Sequence, residues 1–331
     1  MKKLCLPLLA ASLTAAVSCG KVAPDPGRAG LISVRASEMR TKGDVSAMKK
    51  EGNSIDLTGA VCTGDVFVPA SASSIGHGYL RYRGLDDSWY YYSDPKFWTN
   101  ASTYRFRAVS PAECYDSYED DLSGSMCING FTVAAQQARQ ADLLVCAIAS
   151  RTTEDVLADM DTTPVPLEFE HVLSCINVKV RQSGAGEDAF VLTGVQLSGM
   201  YARGDYDSVF DGAAWNGSWS RSGSETITCS QNAFANPTLP VDGSAVSAWD
   251  TGLYLIPQDP SSVRLAVAYR VTHDGKTSAK TVSAYLDGGD WEIGRRYTYT
   301  VTLTEDYELR FDEPQVETWG SEQAGGTIII R

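Results

Sequence analysis

The sequence predicts an all-β protein built from two tandem β-sandwich domains, and three observations carry that expectation. Apolar and polar side chains alternate with a period of two in one segment after another. Stretches rich in Gly, Asp, Asn and Pro, such as DGAAWNG, HDGK and DGGD, separate those segments. Long helical periodicity is missing; VAAQQARQADLL and TEDVLADMD are the only short helical candidates. A chain of 331 residues has room for two such domains. With 43% hydrophobic and 21% charged residues, it is neither a disordered tail nor a bundle of membrane helices.

The first element is a targeting segment. Met1-Lys2-Lys3 is basic, and the apolar run LCLPLLAASLTAAVS behind it is too short for a stable membrane span. The run ends in small residues at AVSCG, which resembles the lipobox of bacterial lipoproteins, although Ala16 stands where that motif usually has Leu. The resemblance implies a lipoprotein signal peptide over 1–18 and an acylated, palmitate-bearing Cys19. A linker over 19–29 would then lift the folded part off the outer membrane. The alternative is an ordinary signal peptide cut elsewhere.

Strand candidates follow in order. LISVRA, SIDLTGAV and SWYYYSD precede STYRFRAVSP, in which Tyr104 and Phe106 oppose Arg105 and Arg107. After DLLVCAIAS comes RTTEDVLADMDTTPVP, a polar stretch that marks the best boundary. It sets an N-terminal domain over 30–163 and a C-terminal domain over 164–331. In PLEFEHVLSCINVKV the apolar phase starts on Leu167 and Phe169 and ends on Ile176, Val178 and Val180. Such a shift needs a bulge or a strand that passes from one sheet to another. Later, VRLAVAYRV collects Val263, Leu265, Val267, Tyr269 and Val271 on one face. RRYTYTVTLTEDY does the same with Tyr297, Tyr299, Val301 and Leu303, as a half-buried antiparallel strand.

Of eight cysteines, Cys5 falls in the signal peptide and Cys19 at its end. Cys114 and Cys127 bracket the polar loop YDSYEDDLSGSM, where a loop-closing disulfide is expected in an oxidising compartment. Cys146 and Cys175 sit inside apolar strands as buried, inert thiols. No CxxC spacing is present.

Convergent chemistry is sparse, so no enzyme, metal site or cofactor is expected. His77 and His273 stand in turn-like segments, and His171 reads as a packed core or interface histidine. The carboxylates of Asp86-Asp87 and Glu119-Asp120-Asp121 fall in polar loops and read as solvated turns. A net charge of -13 without a basic stripe argues against nucleic acid. Arg203-Gly204-Asp205 spells an integrin-recognition tripeptide, which arises often by chance. Trp215 and Trp219, with Tyr90, Tyr91 and Tyr92, raise a second function: a monomeric surface lipoprotein that binds glycans through exposed aromatics.

Several segments together resemble the fimbrillin family, the subunits of type V fimbriae. They are TYRFRAVSP, PLEFEHVLSCINVKV, GLYLIPQ, WEIGRRYTYTVTL and LRFDEPQVETWG, in that order along nearly the whole chain. The resemblance implies transthyretin-like, Ig-like Greek-key sandwiches and a pilus subunit of the cell surface that supports adhesion, as stalk, tip or accessory component. Its partners would be other fimbrillin subunits, the outer-membrane lipid held through Cys19, and a host or bacterial surface ligand. It also implies donor-strand exchange: a protease cuts after an arginine, the first strand leaves, and a neighbour's C-terminal strand takes its place. Here the displaced strand would carry Leu31, Ile32 and Val34, and the cut would follow Arg40, with Arg35 and Arg28 as lesser candidates. The donor would carry Val316, Trp319, Ile328, Ile329 and Ile330, with Gly325-Gly326 as hinge. Burying Ile328 and Ile330 contributes on the order of 3 to 6 kcal/mol. The sequence is equally compatible with this strand closing its own domain.

Overall fold

The computed structural model describes residues 34–38, 54–63, 66–68, 76–83, 88–93, 103–122, 124–146, 148–152, 165–183, 188–210, 215–304 and 306–319. The first half contributes β1 (Val34–Glu38), β2 (Ser54–Thr63), β3 (Val66–Val68), β4 (Gly76–Arg83), β5 (Ser88–Ser93) and β6 (Thr103–Ser110). The hairpin β7 (Ser117–Asp120) and β8 (Ser125–Thr132) follows, then β9 (Leu144–Cys146), β10 (Ala149–Thr152) and β11 (Val165–His171). The second half begins with β12 (Ser174–Gln182), β13 (Ala189–Tyr201), β14 (Arg203–Phe210), β15 (Trp215–Arg221) and β16 (Thr226–Gln231). It continues through β17 (Val246–Ser247), β18 (Leu253–Leu255), β19 (Arg264–His273), β20 (Lys276–Tyr285), β21 (Arg295–Leu303), β22 (Leu309–Phe311) and β23 (Gln315–Thr318). The helical structure among the described residues is two single turns of 3₁₀ helix, at Gln137–Arg139 and Pro260–Ser262.

Nine strands form the N-terminal sheet, in the order β1-β11-β9-β6-β2-β4-β5, with β10 also on β6 and β3 on β2. One buried cluster joins Ile55, Leu80, Trp89, Phe106, Cys146 and Phe169, which come from six strands of this same sheet. The sheet therefore folds over on itself, and its inner face makes both layers of a sandwich.

The C-terminal sandwich has two separate layers. One is β17-β12-β21-β22 with β18 and β23 attached; the other is β16-β13-β19-β20. The alternating sides meet between them: Val178 and Val180, Tyr299 and Val301, Leu192 and Leu197, Val267 and Tyr269 all lie in one core at 1% exposure or less. Of the three strands picked out by their alternation, β19 and β21 bury the side the alternation marks, and β6 does so only over its first half. Direction is another matter. β21 is antiparallel to β22 and β23 but parallel to β12, because alternation reports a buried face and carries no information about the neighbour's polarity.

The phase shift in PLEFEHVLSCINVKV is a change of sheet. β11 pairs with β9 and β1 in the N-terminal sheet, and β12 pairs with β21 in the C-terminal one, across Val172 and Leu173. By hydrogen bonding, residues 165–171 thus go with the first half, not the second. A further crossing is made by β7–β8, which joins β14–β15 in a four-stranded sheet of the order β15-β14-β8-β7. The boundary between 163 and 164 is therefore a linker in sequence but no seam in the sheets.

Candidate functional site

β11 is flanked by two of the segments that the sequence singles out, β1 along its length and Trp319 at its end. β1 lies at the rim of the N-terminal sheet, parallel to β11 from Val34↔Val165 to Glu38↔Phe169. It is the terminal strand of the sheet order, with β11 as its ladder partner, so removing it would leave every other ladder of that sheet intact. Val34 and Arg35 lie on this strand. Cys19, Arg28, Leu31, Ile32, Arg40, Ile328, Ile329 and Ile330 lie outside the described residues.

The far end of β11 holds the last residues of the described chain. His171 is buried, with Nδ1 3.0 Å from Asp142, and its ring stacks on Trp319 at 3.9 Å between centroids and 13° between planes. Tyr254 covers Trp319 from another side at 5.1 Å. The Trp319 backbone N–H donates to the Gly294 carbonyl at 2.8 Å, and the Gly294 N–H donates to Leu173 at 2.9 Å. Gly294 turns through φ +66, and an added Cβ would come within 3.3 Å of the His171 carbonyl. Trp319 is thus 5% exposed and part of the chain's own core, whereas Val316 on β23 is 52% exposed. β23 is antiparallel to β21 from Arg295↔Thr318 to Thr298↔Gln315.

The crossing itself is held from both sides. Trp219 donates its indole N–H to the Val172 carbonyl at 2.6 Å and packs against Phe131 and Tyr206, with ring centroids 5.5 and 5.4 Å away. This half-buried tryptophan faces the junction and is no open platform for a sugar. Arg203, Gly204 and Asp205 lie within β14, where Gly204 pairs with Phe131 and Arg221, Arg203 bonds to Asp116, and Asp205 accepts from the Gly130 N–H at 2.7 Å. The tripeptide is held in a ladder and does not form an exposed loop.

The Cys114–Cys127 disulfide expected from the loop does not form; both are free thiols. Cys114 accepts a backbone bond from Thr132, while Cys127 stands opposite Glu119. The strand between 127 and 132 sets the cysteines roughly 16 Å apart at about 3.3 Å per residue, beyond the ~7 Å a disulfide tolerates. Cys146 and Cys175 are buried, and burial pushes their thiols up to about 12 and about 11.

Arg107 and Asp120 depart most from the sequence expectation. Alternation placed Arg107 outward and the acidic loop in solvent, yet the two side chains are 2% and 0% exposed and lie 3.4 Å apart. Asp120 also accepts from Tyr118 Oη at 2.8 Å and from the Leu122 N–H at 2.7 Å. The outer face of β6 is covered here, so both faces of that strand are buried toward its end. No group of three or more His, Cys, Asp or Glu side chains among the described residues is arranged to hold a metal ion.

The sequence matches the family described as fimbrillin-like over residues 41–319. The chain belongs to the fimbrillin-like family. A solved fimbrial protein from Bacteroides vulgatus superposes with a TM-score of 0.62 at 19% identity, over 88% of this chain and 99% of that one. A proposed cell adhesion protein from Bacteroides uniformis gives a TM-score of 0.51 at 12% identity, over 88% of this chain and 98% of that one. No curated protein sequence matches significantly. The fold of this fimbrillin-like chain is thus one that fimbrial proteins use, and family membership supports a fimbrial subunit role at the cell surface.

Proposed function

We propose that this fimbrillin-like chain is a structural subunit of a surface fimbria, exported as a lipoprotein through Cys19 and polymerised by exchange of strands. Cleavage after Arg40 releases β1, and the tail of a neighbouring copy, including Ile328 and Ile330, replaces it on β11. The observation that carries this reading is the place of β1: a rim strand, parallel to β11, that comes just before the matched family region at 41–319. Residues 320–331 follow that region. The shared body therefore lies between a leaving strand and a donated one.

Geometry favours Arg40 over Arg35. Arg35 pairs with Pro166 inside the ladder, where a protease cannot extract an extended substrate without unzipping the strand, whereas Arg40 follows its end. Because Trp319 is bound in its own core, donation falls to the residues beyond it, and Trp319 is the anchor from which they extend. Backbone pairing with β11 would supply affinity and alternate side-chain pockets specificity. A copy that both receives and donates a strand extends the shaft.

Limited digestion with an arginine-specific protease tests the reading. The expected result is a stable body that starts at Thr41 and, on an unboiled SDS gel, runs as a ladder. A resistant monomer that keeps Cys19 and β1 would contradict it.

A further inference from the structure

The rim of the N-terminal sheet opposite β1 carries an aromatic patch. In the β4–β5 hairpin, Leu80, Tyr82 and Trp89 point into the core. Tyr79, Arg81, Tyr90 and Tyr92 point the other way, with Arg81 directly opposite Tyr90. Tyr79 and Tyr90 are each 39% exposed and Tyr92 is 61% exposed. The Arg81 guanidinium lies 3.8 Å over the centre of the Tyr92 ring and 3.3 Å from Glu113, so rings and ion pair form one continuous surface. Glu113 also accepts from the Ser54 hydroxyl, which ties this fringe to β2.

We propose that this patch binds a short stretch of neutral saccharide. Three arguments select that ligand. The exposed parts of the three rings come to about 300 Å², taking roughly 200 Å² for a whole tyrosine, while each partner in a standard protein interface gives about 800 Å². Among the described residues the patch also lacks the aliphatic centre of such an interface: its apolar surface is aromatic faces, and its border is hydroxyl, guanidinium and carboxylate. A sugar ring has the matching chemistry, with a C–H face that sits on the negative face of an aromatic ring and hydroxyls that reach Arg81 and Glu113. Charge decides between neutral and acidic sugars. Arg81 is already neutralised by Glu113, and a chain with a net charge of -13 repels polyanions.

Calorimetric titration of the full chain tests this, with cellohexaose, maltohexaose, xylohexaose and mannan as neutral probes and heparin as the polyanion. At least one neutral probe is expected to bind at submillimolar to millimolar concentration and heparin is not. The Tyr90→Ala/Tyr92→Ala double variant should weaken binding about tenfold or more. Tyr92→Trp should retain it, and Tyr285→Ala, an exposed tyrosine on β20, should leave it unchanged. Because the substituted rings are on the surface, the variants should melt with the wild type. Binding of heparin alone, no binding of any neutral probe, or equal binding by the double variant would overturn the proposal. So would self-association of the chain that the double variant abolishes. Binding is read on single chains, so the outcome is independent of strand exchange.

Discussion

Arg107 stands on a strand whose alternation points it to solvent, and the fold instead encloses it with Asp120. Two charges out of water hold only as a pair. Asp120→Asn is therefore expected to cost roughly 3–5 kcal/mol in urea unfolding. Trp319 makes a second test at this scale: Trp319→Ala removes the stack on His171 and should cost about 3–5 kcal/mol, whereas Val316→Ala on exposed β23 should stay within about 0.5 kcal/mol. Cys146 and Cys175 should resist alkylation near neutral pH until the protein is unfolded, and intact mass should show no Cys114–Cys127 bond. The buried thiols were legible because apolar neighbours flank them in sequence. The Arg107–Asp120 pair was not, because the layer that covers β6 comes from elements distant in the chain. Trp319 was legible as an aromatic at the head of the tail; that it anchors on His171 depends on a contact across 148 positions, which no local pattern encodes.

At the scale of elements, the most informative sequence signal was a defect. The reversal of apolar phase between Phe169 and Ile176 marks the passage of β11 into β12 from one sheet to the other. What the defect could not convey was how unevenly the halves divide, since pairing carries 165–171 backward and β7–β8 forward. Partner choice in a sheet is set by long-range register, and a single strand's pattern is silent on it. The rim position of β1 makes its own prediction. A chain that begins at Thr41 should unfold at lower urea than the uncut protein, because β11 loses its ladder with β1 and keeps only the one with β9. A synthetic peptide of residues 320–331 should restore much of the loss, and a scrambled peptide should not.

For the whole molecule, the proposed architecture is a body between two exchangeable ends, and its acidic charge suits a soluble surface rather than nucleic acid. On the proposed route, self-association through a donated strand would depend on cleavage, whereas association through an exposed patch would not. The two can be separated in one measurement: unboiled SDS gels of the chain cut after Arg40, beside the same chain lacking residues 320–331. A ladder from the cut full-length chain that is lost on truncation, with the truncated monomer still folded, is the predicted result. A ladder that survives truncation, or cut full-length protein that remains monomeric, would contradict the claim that each copy completes its neighbour.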